Sequence, residues 1–244
     1  MSGGRARPRD ERPGAPRHSR NHPRRTGRTL RWVALVIATG VVVVILVARG
    51  HLVSGNGDSF AAPSKAALSG LSMPQRIVAV AESQIGYDTQ PPDSYCNKFS
   101  AYWHAGAADC PRGERDEEWC ADFAAWAWKK AGEHFTYGYG PGDINAAAVS
   151  FYEWAVANGK WHPAGRSFVP AAGDVAVYGL ALGTHPTAAH VAIVTGVAGS
   201  GPGPDVVNGD GDRTGFSVVE AGTGQLQVKV GPNRFSLSGY VGPP

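Results

Sequence analysis

The chain predicts an α+β domain, helices in its first part and a small antiparallel sheet in its second, set behind a long segment of different character. Three observations carry this. Apolar residues recur at helical spacing as far as about residue 158; short β-branched runs separated by Gly, Pro and Asn turns follow from Phe168 onward; and residues 1–72 read as a tail, an apolar run and a spacer.

Ten arginines stand in the first 31 residues against only Asp10 and Glu11, a local net charge of +8 in a chain that totals +3. Everything after residue 31 therefore sums to −5, so bulk basicity belongs to the tail and gives no reason to expect nucleic-acid binding. Rich in Arg, Pro, Gly and Ser, the tail is expected to be disordered. Residues 32–48, from Trp32 to Ala48, are a 17-residue run dominated by Val, Ile, Leu and Ala. As a helix it spans about 25 Å, the short end of a membrane crossing. The arginine excess before it, against Arg49 alone just after it, predicts a single-pass signal-anchor with the N-terminus cytoplasmic and the rest extracellular. A cleaved, secreted form is the competing reading; against it, the apolar run is long for a signal peptide and the nearest small-residue site, Ser59 to Ala61, is distant. Residues 49–72 read as a flexible linker, leaving 73–244 as the folded, catalytic domain.

Cysteine usage agrees with an exported domain. There are three, at positions 96, 110 and 120, so one thiol is left over. Pairing Cys96 with Cys110 closes a loop of 15 residues, a constraint contributing about 3 kcal/mol in the chain-entropy model. Pairings through Cys120 stay open at this level.

Element by element, the stretch after Pro74 sets Ile77, Val78, Ala81 and Ile85 on one helical face, with Gly86 as a stop. The Pro-rich loop 88–93 carries two carboxylates without the alternating ligands of a calcium loop, and no metal is expected there. WCADFAAWAWKKAG, residues 119–132, is a helix with Phe123, Trp126, Ala127 and the Lys130 stem on one face, Asp116, Glu117 and Glu118 ahead of it, and Gly132 ending it. Cys120 falls in its first turn, where the helix dipole favours a thiolate nucleophile; a buried structural thiol is the bland alternative. A further helix is expected over 144–158, with Ala148, Phe151, Tyr152 and Ala155 on one side. Strands are expected over 175–178, 190–197, 206–210, 216–220, 225–230 and 237–241.

A cysteine nucleophile needs a base and a group to orient that base. Of the eight histidines, His190 heads a β-branched strand that would hold its imidazole rigidly toward a packed helix. Asn208, at the end of the next strand, is the first candidate to fix the tautomer, with Asp210 the second; Asn-Gly-Asp is also an ordinary turn.

WCADFAAWAW with its trailing KKAG, then PAAGDVAVYG, HVAIVTGV and VVNGD, in this order and spacing, resembles the CHAP domain. That is a papain-like family of cysteine amidohydrolases and peptidases that cut peptidoglycan. The resemblance covers roughly 73–244 and implies Cys120 as nucleophile and His190 as general base, without a cofactor. The family often has Glu where this chain has Asn208, and Asn where it has Asp210, so the third member stays open between the two. The function implied is amide hydrolysis in peptidoglycan stem peptides, as an N-acetylmuramoyl-L-alanine amidase or an endopeptidase. A transferase using the same residues is a variant of this. A catalytically silent surface-binding module, using Tyr102, Trp103, Trp119 and Trp154 as contact residues, is the alternative.

Overall fold

The computed structural model describes residues 60–92, 94–165, 167–197, 203–211 and 218–244. The basic tail, the apolar run at 32–48 and residues 49–59 of the spacer lie outside them. Among the described residues, no helix is long and apolar enough to cross a membrane.

Packing begins before residue 73. Leu68 is buried and Phe60 meets the Tyr87 ring edge-on at 5.7 Å, so the end of the expected linker lies on the domain. Isolated apolar side chains among small polar ones carry no period, which is why this segment reads as a spacer. Helix α1 (Met73–Glu82) opens with a capping box between Ser72 and Gln75 and with Pro74 in its first turn. Its buried face is Ile77, Val80 and Ala81; Ile85 lies beyond its end and is exposed.

Strand β1 (Cys96–Asn97) runs into α2 (Lys98–Trp103), and β1 pairs antiparallel with β2 (Arg115–Asp116). Cys96 and Cys110 form the disulfide, with Cα atoms 5.6 Å apart, and Cys120 is the free thiol. Helix α3 (Cys120–Ala131) is buried on every side from Cys120 to Trp128, more than the single face its period suggests, because α1, α2 and the sheet all pack against it. Gly132 ends it in the left-handed conformation, φ 114°. Helix α4 (Val149–Ala157) starts five residues later than expected. Ile144 is bridged to Tyr137, and the Asn145 side chain accepts the Ala147 N–H at 2.9 Å, so this stretch spends its hydrogen bonds outside a helix.

The remaining strands are β3 (Trp161–Pro163), β4 (Val175–Tyr178), β5 (His190–Val197), β6 (Pro204–Gly211), β7 (Val218–Gly222), β8 (Gln227–Val230) and β9 (Asn233–Val241). They form one seven-stranded antiparallel sheet in the order β3-β9-β4-β5-β6-β7, with β8 beside β9. The α+β class therefore holds, in an arrangement consistent with a papain-like fold. Alternation divides the sheet: Val175, Val177, Val191, Ile193 and Val207 join the helices in one core, while Ala176, Tyr178, Ala192, Val194 and Val206 form a second with Val228 and Tyr240. Asn208 to Asp210, turn-like in sequence, stay within β6; a register shift between Asn208 and Gly211 and φ 61° at Asp210 absorb their turn tendency.

Candidate active site

Helix α3 is aimed by its first turn. Asp122 is fully buried and accepts hydrogen bonds from the Ser100 hydroxyl at 2.5 Å and from the Tyr137 hydroxyl. The Trp103 indole N–H donates to the Asp122 carbonyl at 3.1 Å, and its ring stacks on Tyr137 at 4.1 Å. Trp119, just ahead of the helix, is fully buried and stacked on Phe99 at 5.2 Å. These contacts hold Cys120 at the head of a helix that cannot slide.

The sheet approaches from the other side. At Gly209 an added Cβ would lie 2.5 Å from Phe123, so only glycine lets β6 pass this close to α3. One residue on, the Asp210 carboxylate accepts the Trp119 N–H at 3.1 Å, capping α3 from β6. Asp210 is thus a helix-start group, and no hydrogen bond from it reaches His190. Asn208 is the histidine's partner: His190 Nε2 lies 3.1 Å from Asn208 Oδ1. An amide oxygen only accepts, so Nε2 carries the proton and Nδ1 keeps its lone pair.

His190 has the parity of Ala192 and Val194, so Val191 and Ile193, and not the histidine, face the helix core. The expectation that alternation turns the imidazole toward α3 is corrected accordingly. What ties the start of α3 to the head of β5 is a backbone contact: the Cys120 sulfur sits against the Val191 backbone N–H, next in chain to His190. Among the described residues no hydrogen bond joins the sulfur to the ring. Cys120 opens on a cleft of about 430 Å³, walled by Ala146 to Val149 and Thr187 to Ala189, with Glu117, Glu118 and Tyr139 on its other side.

The electrostatics run against the expected thiolate. Burial raises the Cys120 thiol, Asp210, Asp122 and Glu118 raise it further, and the Val191 N–H alone opposes them. At this buried helix start the dipole is outweighed. Asp210 is itself pushed well above the carboxylate range, first by burial. Burial also drives His190 down to about 4, with the Asn208 bond pulling the other way. The resting pair is therefore a neutral thiol and a neutral imidazole.

This has a consequence for stability. The unfolded chain protonates its histidine near pH 6.5 and the folded one only near 4, so the contribution of the neutral ring is complete above about pH 6.5 and is lost as pH falls toward 4. Between pH 7 and pH 4, urea unfolding of the wild type should lose roughly 3 kcal/mol more than that of a His190→Gln variant. Equal losses would show that the ring is hydrated.

His190 and Asn208, separate in sequence, are thus hydrogen-bonded at the head of β5, the Cys120 sulfur lies against the next backbone N–H of that strand, and Asp210 bridges β6 to the helix.

Residues 112–209 match the family model of the CHAP domain. Over this segment the chain is similar to a CHAP domain. The match takes in Cys120, His190 and Asn208 and stops one residue short of Asp210. No curated protein and no solved structure matches the chain significantly. CHAP domains are generally hydrolases acting on peptidoglycan, and the likeness suggests peptidoglycan-hydrolase-type activity.

Motif reading did not find Gln225, Tyr178, Ser100 or Tyr137. Gln225 accepts the Asn208 amide N–H at 3.3 Å, and the Tyr178 hydroxyl donates to the Gln225 carbonyl at 3.2 Å. Gln225, Ser100 and Tyr137 belong to no local pattern, and Tyr178, though it ends the PAAGDVAVYG motif, carries no local sign of this contact. Of the aromatics weighed as a contact surface, Trp119 and Trp154 are buried core and Tyr102 is exposed.

Proposed function

We propose that the domain is a cysteine hydrolase cleaving amide bonds of peptidoglycan stem peptides, with Cys120 as nucleophile, His190 as general base and Asn208 orienting the base. The observation that carries this is the His190 Nε2 to Asn208 Oδ1 hydrogen bond of 3.1 Å, at the head of the strand whose next N–H, that of Val191, meets the free thiol at the start of α3. It leaves Nδ1 as the acceptor for the thiol proton.

Cys120 Sγ attacks the carbonyl carbon as its proton passes to His190 Nδ1, which suits a thiol held neutral until substrate arrives. The resulting oxyanion is held at the helix start by the Cys120 N–H, while the Trp119 N–H is occupied by Asp210. His190 then gives its proton to the leaving nitrogen, the C–N bond breaks, and a thioester remains. Water, deprotonated by His190, attacks the thioester; the C–S bond breaks and the thiol recovers its proton. Asp210 serves by fixing the helix start. In this reading residues 32–48 anchor the chain, with the domain extracellular beside its substrate.

Digestion of purified peptidoglycan by the full chain, followed by mass spectrometry, tests the proposal. Stem peptides released with a free alanine amino terminus mark an amidase, and severed stems an endopeptidase. Amine-capped products mark the transferase. No released fragment from the folded wild type, as from a Cys120→Ala variant, identifies the silent module.

A further inference from the structure

An asparagine can serve an imidazole in two ways. With its oxygen turned to the ring it requires a protonated ring nitrogen there; with its NH₂ turned to the ring it requires a bare one. Only the first leaves His190 Nδ1 free to accept a proton. Asn208 therefore needs something at its far end to choose between them, and the structure has one group in place. Its Nδ2 donates to Gln225 Oε1 at 3.3 Å.

Gln225 is held by its own backbone. Its N–H donates to the Pro204 carbonyl at 2.8 Å, and its carbonyl accepts from the Tyr178 hydroxyl at 3.2 Å. Tyr178 is fully buried, and its ring lies 6.2 Å from that of His190. The Gln225 amide lies directly over Gly222, whose missing side chain makes room for it: a Cβ there would overlap the amide. Gln225 does not line the cleft that holds Cys120.

We propose that Gln225 is a positioning residue that sets the amide orientation of Asn208 and, through it, the tautomer of His190. This rests on the reading of His190 as the base. The chain of hydrogen bonds runs from His190 Nε2–H to Asn208 Oδ1, and from Asn208 Nδ2–H to Gln225 Oε1. Its direction is set by the acceptor at the far end.

The test exploits that direction. Gln225→Glu can only accept and keeps the proton on Nε2. Gln225→Lys can only donate; it draws the Asn208 oxygen to itself, turns the NH₂ to His190 and moves the proton to Nδ1. Gly222→Ala folds with the Gln225 amide displaced and loses the bias, as does the neutral Gln225→Met. In the full chain labelled with ¹⁵N-histidine, His190 should read as Nε2–H in wild type and Gln225→Glu, as Nδ1–H in Gln225→Lys, and as a mixture in the other two. Peptidoglycan digestion by Gln225→Lys should fall about 10²-fold in kcat with KM little changed, and Gln225→Glu should recover most of that loss. An unchanged His190 spectrum in both Gln225→Lys and Gln225→Met overturns the proposal. If the spectra follow the pattern while no variant, nor the wild type, digests peptidoglycan, the positioning role stands and the substrate assignment falls.

Discussion

Replacing Cys120 with alanine is expected to lower the rate of peptidoglycan digestion by about 10⁴-fold or more while leaving the fold intact. Everything covalent in the proposed reaction passes through this sulfur, and no second free cysteine stands in the chain. The fold should tolerate the change because the thiol is neutral in the resting state and its hydrogen bond from the Val191 N–H is a weak one to sulfur. Removing one small buried atom costs about 1 kcal/mol. A His190→Ala variant should be comparably inactive, and the double variant little worse than either single one, since the two groups act as a unit. The measurement is initial digestion rate for the three variants at matched folded fraction. Fragments released by the alanine variant at wild-type rate would remove Cys120 from the mechanism.

The largest effect on stability belongs to the residue just before it. Trp119→Ala should destabilise the domain by about 3–5 kcal/mol, because the indole is fully buried among Phe99, Tyr87 and the start of α3 and its loss leaves a cavity that rigid rings cannot fill. For a domain of this size that corresponds to a fall in Tm of roughly 10 °C. Activity should drop as well at temperatures where the variant is folded, since without the buried indole the segment carrying the Trp119 backbone N–H, and with it the bond to Asp210 that fixes the helix start, is free to shift. Leu182→Ala, at a site 68% exposed, is the control and should shift stability by no more than about 0.5 kcal/mol. Calorimetry decides. A Tm change for Trp119→Ala no larger than the control's would mean that the aromatic cluster does not hold the helix start.

Strand β5 was legible to the residue, from His190 to Val197, because an unbroken β-branched run has no competing conformation. The stop of α3 at Gly132 was legible for a similar local reason, whereas the count and spacing of cysteines offered Cys96 with Cys110 without closing the pairings through Cys120, which the structure does. Helix α4 was misplaced at its start because Ile144 fits an apolar period equally well as a bridge partner of Tyr137. The site divides in the same way. Cys120, His190 and Asn208 could be nominated from motif order, whereas Asp210 was grouped with Asn208 as a possible partner of the histidine and instead caps the helix. Parity along β6 suggested that the two share a face, and a bulge with φ 61° at Asp210 sends it elsewhere.

By itself the sequence determined the order of α1, α3 and α4 and of the strands from β4 onward, the unpaired thiol and the residue types available for acyl transfer. Those follow from periods, caps and counts, which are properties of neighbours along the chain. Only the tertiary structure decided that burial and nearby carboxyl groups keep the Cys120 thiol protonated, that Asn208 and not Asp210 holds the imidazole, and that Gln225 stands behind Asn208. Each of these depends on which groups lie across a strand register, at a bulge or inside a low-dielectric core. A one-residue change in pairing would alter them all without changing any local pattern.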